Sequence, residues 1–131
     1  MPTVSKPLLL DSDVLIDMLR RHPLAVAYLR GLSTVPFLSV VVVAELFSGV
    51  HDGRERDELE DFVATSRVLP VSAAIAVQAG LFRRQYRASH RPRLPDMLIA
   101  ATALAHNATL VTLNAKHFPM LPDALVPYQK T

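Results

Sequence analysis

The sequence predicts an α/β fold: its pattern of apolar runs gives an α/β/α sandwich around a central parallel sheet of four to five strands, with residues 1–131 forming one domain.

 Three observations carry that expectation. Short apolar runs at residues 8–10, 35–38, 68–71 and 109–113 alternate with longer segments of helical apolar spacing, and such alternation implies parallel strands joined by right-handed crossovers with helices on both faces. The first run is three consecutive leucines, Leu8, Leu9 and Leu10, which suits a strand buried on both faces. It ends in the acidic cluster Asp11-Ser12-Asp13, and in open α/β sheets chemistry collects at the carboxyl ends of strands.

The elements follow in order. Ser12 or Asp13 can cap a first helix through Arg20 or Arg21, with Val14, Leu15, Met18 and Leu19 as its apolar face and Asp17 as a solvated position. His22-Pro23 breaks it, and Pro23 opens a second helix through Leu32. Residues 35–38 form the second strand, with Pro36 near its start. Ser39 then caps a helix over residues 40–50, although the valines at 40–43 also suit a strand. A turn at residues 52–56 precedes a charged helix to Ser66, whose apolar positions are Leu59, Phe62 and Val63. Residues 68–71 form the third strand. Ser72 caps a long helix to Ala88 with Ile75, Ala79, Phe82 and Tyr86 on one face. Pro95 starts a helix that is apolar nearly all round and therefore buried, and Asn107 stops it. Residues 109–113 form the fourth strand, residues 115–118 a turn or short helix, and residues 124–126 an additional edge strand.

Composition narrows the function classes. A chain of 131 residues, half of them apolar, can bury one continuous core. It has no cysteine, which excludes disulfides and thiolate metal sites. No apolar run approaches the ~20 residues of a membrane helix, and Met1 to Pro7 lacks the layout of a signal peptide. The expectation is a soluble cytoplasmic protein with no membrane association. The net charge of +2 is unevenly distributed. Residues 52–61 hold six acids and two arginines, whereas residues 83–93 hold five arginines, one histidine and no acid. Arg83, Arg84, Arg87, Arg91 and Arg93 can contact phosphates, or can simply be a solvated helix end and loop.

Three carboxylates and one amide share an expected address. Asp11 and Asn114 end strands, Asp96 opens a helix, and Glu45 lies within a helix that follows a strand. In a doubly wound sheet all four can open on one edge. Oxygen ligands without cysteine suit Mg²⁺ or Mn²⁺, and a divalent metal there can polarise a phosphodiester and activate water. Each residue also has a plainer explanation. Asp11 and Asp13 can cap a helix, Asp96 can complement a helix dipole, and Asn114 can be a turn residue. Glu45 gains nothing from capping, because its neighbours one turn away are Val41, Val42, Ser48 and Gly49. His117 lies near Asn114 and within possible reach of the site.

These segments, taken together, resemble the PIN-domain ribonucleases, and among them the VapC toxins of toxin–antitoxin pairs. Residues 9–16, Leu-Leu-Asp-Ser-Asp-Val-Leu-Ile, resemble the first family motif. Ser39 through Ala44-Glu45-Leu46 to Gly49 resembles the second, residues 95–103 the third, and Leu110-Val111-Thr112-Leu113-Asn114 through Phe118 the fourth. The resemblance runs in order over nearly the whole chain. It implies a metal-dependent endoribonuclease in which Asp11, Glu45 and Asp96 form the acidic triad that binds Mg²⁺ or Mn²⁺, with Asn114 beside them in the catalytic set. Ser12, Asp13, Thr112 and His117 are accessory positions. It also implies an RNA substrate, a cognate VapB-type antitoxin and a homodimer.

One departure stands out. The family often carries a fourth Asp at the position of Asn114 or three residues on, where this chain has His117. An amide binds a metal with less charge, so a weaker second metal site is expected, and a non-catalytic binding module of the same fold is the rival reading. Asp11-Ser12-Asp13-Val14 also resembles the first motif of haloacid-dehalogenase-like phosphatases, where the first Asp is a nucleophile. That chemistry needs a later Lys and an acid pair, but Lys116 is the only lysine between Lys6 and Lys130, and Asp96 has no acidic neighbour.

Overall fold

A computed structural model of the chain describes residues 5–130; residues 1–4 of the N-terminal segment read above lie outside them. Strand β1 (Leu8–Leu10) leads into helices α1 (Ser12–Leu19) and α2 (Pro23–Arg30). Strand β2 (Phe37–Ser39) leads into α3 (Val40–Gly49) and α4 (Arg54–Thr65). Strand β3 (Arg67–Leu69) is followed by α5 (Ala73–His90) and α6 (Leu94–Ala105), and β4 (Thr109–Val111) by a 3-10 turn, Ala115–His117.

The four strands form one sheet in the order β3-β2-β1-β4, with every pair parallel. The chain steps outward from β1 to β2 and β3. Helices α5 and α6 then return it to the opposite edge of β1, so the direction of winding reverses between β1 and β4. A crevice opens outside the carboxyl ends of the strands at such a reversal. Leu9 and Leu10 of β1, Leu38 of β2 and Val111 of β4 are fully buried. Each large aliphatic side chain so placed contributes about 1.5–3 kcal/mol.

Local chemistry explains where the elements begin and end. Ser39 closes β2 and caps α3, its Oγ accepting the Val41 N–H at 3.1 Å. Ser72 caps α5 in the same way through Ile75 N–H at 3.1 Å. Pro23 opens α2, and Asn107 stops the chain after α6 in the left-handed region at φ 49°. Helix α4 starts at Arg54, earlier than the sequence pattern implied. Gly53, at φ 93°, turns the chain, and the first turn is then laced by Arg54–Glu58 and Arg56–Glu60 pairs one turn apart. Ser39→Ala should lower stability by about 1 kcal/mol, because it takes the cap from the N–H of the half-buried Val41. A urea titration should show a lower midpoint with an unchanged slope.

Three expectations are corrected. The cap of α1 is Asp11, not Ser12 or Asp13; its carboxylate accepts the Ser12 N–H. Residues 124–126 form no strand, only an isolated parallel bridge between Val111 and Leu125. Leu125 exchanges two backbone bonds there, donating to Leu110 O and accepting from Thr112 N–H, and the next residues leave the ladder. Helix α6 is not buried all round, since Leu104 near its end and Leu94 at its start are exposed. Its middle, from Met97 to Ala103, is buried apart from the half-buried Leu98. Among the described residues, no helix is long and apolar enough to cross a membrane.

Candidate active site

The crevice between β1 and β4 is built around Asp11. The Asp11 N–H continues the β1–β4 ladder by donating to Val111 O at 2.9 Å. Its side chain is 7% exposed. One oxygen accepts Ser12 N–H at 2.8 Å and the other accepts the Thr112 hydroxyl at 2.8 Å. Ser12 therefore enters the site through its backbone. Thr112 is fully buried and has one hydroxyl proton to give. It gives it to Asp11, while Asp13 lies farther away at 3.3 Å.

Asp13 holds the two strand ends together. Its Oδ1 accepts Val14 N–H at 2.8 Å, and its Oδ2 accepts Leu113 N–H at 2.9 Å and the Asn114 side-chain amide at 3.1 Å. Asn114 also donates its backbone N–H to Thr112 Oγ1 at 3.1 Å. The amide of Asn114 is thus engaged with Asp13, and Asp13 is more than a helix cap. Leu113 and Asn114 leave the strand because carboxylate and hydroxyl oxygens capture their N–H groups, which is why β4 ends at Val111 and not at Leu113.

Asp96 lies in the first turn of α6 and Glu45 in the middle of α3. Glu45 Oε1 is buried and, among the described residues, has no hydrogen-bond partner. Its Oε2 lies 3.6 Å from Arg93. A buried carboxylate oxygen without a donor is costly in an apolar setting, and its natural complement is a cation.

The electrostatics tie the three acids to one another. Burial is the main cause that pushes the Asp11 carboxyl from 3.8 up to about 7, with repulsion from Asp13 and Asp96 adding to it. Burial also raises Glu45, and Asp96 adds repulsion there while Arg93 opposes it. Asp96 is raised by its own burial, against the pull of Arg93 and His117. Asp96 therefore stands within electrostatic reach of both Asp11 and Glu45, and His117 within reach of Asp96. Among the described residues, no three Asp, Glu, His or Cys side chains form a ready-made metal cage. The triad is coupled by repulsion without converging on a single point.

The arginines separate into two groups. Arg93 sits at the site beside Glu45. Arg83, Arg84 and Arg87 on α5, and Arg91 after it, are exposed, and no ion pair links them to an acid among the described residues. One residue of the site region was missed by sequence reasoning. Asp17 is not solvated; it is 8% exposed and accepts Tyr128 OH at 2.9 Å and Lys130 Nζ at 3.0 Å. Its position one turn after Asp13 on α1 was the available signal, but its partners lie more than a hundred residues away.

Comparisons with known proteins place the chain as a whole. A family model described as PIN domain matches residues 8–121. The chain is 43% identical over 124 residues to ribonuclease VapC10 of Mycobacterium tuberculosis (strain ATCC 25618 / H37Rv), covering 92% of each. Among solved structures, it is similar to a toxin–antitoxin complex from Klebsiella pneumoniae, at TM-score 0.80 and 25% identity, covering 94% of this chain and 99% of the other. It is also similar to VapBC2 from Rickettsia felis, solved bound to a DNA fragment from their promoter, at TM-score 0.74 and 27% identity over 90% of this chain and 95% of the other.

Proposed function

The chain belongs to the PIN-domain family, and from that premise we propose that it is a divalent-metal-dependent endoribonuclease, the toxin of a VapBC-type pair. The observation that carries this reading is the coupled triad: three partly or fully buried carboxylates, Asp11, Glu45 and Asp96, of which Glu45 keeps a buried oxygen with no donor. An all-oxygen set of this charge fits a hard cation, Mg²⁺ or Mn²⁺. Asp11, Glu45 and Asp96 would hold it, drawn together as its charge replaces their repulsion. When bound, such an ion polarises a phosphodiester and makes water a competent nucleophile near neutral pH.

The remaining residues have supporting parts. Thr112 orients Asp11 through its hydroxyl. Asp13 and Asn114 fix the loop after β4 against α1, so Asn114 acts by positioning and not as a metal ligand. Arg93 balances Glu45 and is the arginine placed to meet a substrate phosphate at the site. The ribonuclease name of the relatives supports RNA as the substrate, and the solved toxin–antitoxin complexes support a VapB-type antitoxin as partner. A homodimer is supported by exposed apolar side chains on α5 and α6, among them Val77 and Leu104.

The test is cleavage of a total-RNA pool by the purified, antitoxin-free chain in Mn²⁺, in Mg²⁺ and in chelator. Discrete fragments that require the metal are the expected outcome. A folded chain that binds Mn²⁺ and yields no fragments in either metal would favour the non-catalytic binding module.

A further inference from the structure

Beside Asp13 and Asp17 opens a groove of about 860 Å³, within the ~300–1,000 Å³ range of ligand pockets. Helix α1 forms one wall. The loop after β4 and the C-terminal segment form the other, and Ile16, Arg20, Lys116, Val126 and Lys130 are among its lining residues. Its lining includes Asp13, two residues from Asp11.

The charges in this groove are unequally satisfied. Asp13 accepts from Val14, Leu113 and Asn114, and Asp17 from Tyr128 and Lys130. Lys130 is therefore committed to a wall. Arg20 and Lys116 are both exposed, and among the described residues neither lies within ion-pairing distance of a carboxylate. The groove thus turns its acids inward to their own donors and presents uncompensated cations to whatever enters. In the same groove, Ile16 and Val126 offer apolar surface, 37% and 41% exposed.

We propose that this groove, and not the arginine-rich end of α5, carries the backbone of single-stranded RNA to the active site, with Arg20 and Lys116 each contacting a phosphate and Ile16 and Val126 lying against sugars or bases. It rests on the ribonuclease reading and adds the path of the substrate to it. Phosphates are the groups that two unpaired cations on flexible stems take best, and apolar surface in the same groove suits the sugars and bases of the same strand.

The test is binding of a fluorescein-labelled single-stranded oligouridine RNA in chelator, between about 50 and 200 mM salt. The parent chain is compared with an Arg20→Ala/Lys116→Ala variant and an Arg83→Ala/Arg84→Ala variant. All four side chains are exposed, and thermal melts check that both variants stay folded. The groove variant should lose about tenfold in affinity at the lower salt. Its slope of log affinity against log salt should fall by about 0.7 for each lost phosphate contact, about 1.4 in all. The α5 variant should keep the parent's slope. An unchanged slope in the groove variant overturns the proposal, as does a slope lost only in the α5 variant. Labelled poly-glutamate is titrated against the same chains, and its loss in the groove variant with RNA binding intact would overturn the proposal in favour of an acidic peptide. Metal-dependent RNA cleavage by the parent chain judges the ribonuclease reading separately, so a failed groove with intact cleavage is a failure of the groove alone.

Discussion

Asp11→Asn should abolish metal-dependent RNA cleavage, lowering the rate by about 10³-fold or more. A Lewis-acid metal supplies several kcal/mol of transition-state stabilisation, and a loss of about 4 kcal/mol corresponds to about 10³ in rate. Asp11 is the most buried of the three carboxylates and the one nearest the strand reversal. The variant should remain folded, since an amide oxygen can still accept Ser12 N–H and its nitrogen can face Thr112 Oγ1. Glu45→Gln and Asp96→Asn should act in the same direction. The measurement is a single-turnover cleavage rate in Mn²⁺ beside a thermal melt. A folded Asp11→Asn chain that cuts RNA at the parent rate would remove Asp11 from the chemistry.

The second large effect is on stability without metal. The chain freed of divalent ions should lose stability as the pH rises from about 4 to about 7. Asp11 titrates near its ordinary 3.8 when unfolded and at about 7 when folded. Below 3.8 both states hold the proton, and the contribution of this group is fully present. Between the two values the unfolded state releases its proton while the folded state retains it, so each unit of pH favours unfolding. Above 7 the folded state carries a buried, repelled charge and the contribution is gone. A shift of about three units corresponds to about 4 kcal/mol at most. Asp13, Glu45 and Asp96 are raised as well and act with the same sign. Urea titrations in chelator at pH 5 and pH 8 should therefore show Asp11→Asn gaining on the parent chain by up to about 2.7 kcal/mol, because about two of those units lie above pH 5. An equal difference at both pH values would mean that Asp11 ionises as an ordinary surface carboxylate. Added Mn²⁺ should restore the parent chain at pH 8, because the ion binds the ionised form that the bare fold disfavours.

Activity and stability are thus set against each other at one residue. A fold that buries Asp11, raises Asp13 beside it and leaves Glu45 Oε1 without a donor stores an unfavourable charge arrangement. Replacement of an acid by its amide relieves that arrangement and removes the reason for it. Such opposition is common where a site must be held charged and poorly solvated.

Much of this molecule was determined by its sequence alone. Three leucines could fill both faces of a buried strand, Ser39 and Ser72 could end loops by capping helices, and Ile75, Ala79 and Phe82 could share one helical face. Each of those properties is local, set by the period of the chain and by groups within one turn of one another. The acidic candidates were legible for the same reason, as carboxylates at element ends or amid apolar neighbours where solvation does not explain them. The tertiary structure decided their partners. Strand order sets β4 beside β1, and only that adjacency brings the Thr112 hydroxyl to Asp11 across 101 positions of sequence. The same adjacency engages Asn114 with Asp13, and the path of the C-terminal segment over α1 buries Asp17 under Tyr128 and Lys130. The packing of α6 against α3 sets Arg93 beside Glu45, while among the described residues the arginines of α5 form no ion pair. A buried charge must find its donors wherever the fold presents them, and periodicity carries no record of which distant residue that will be.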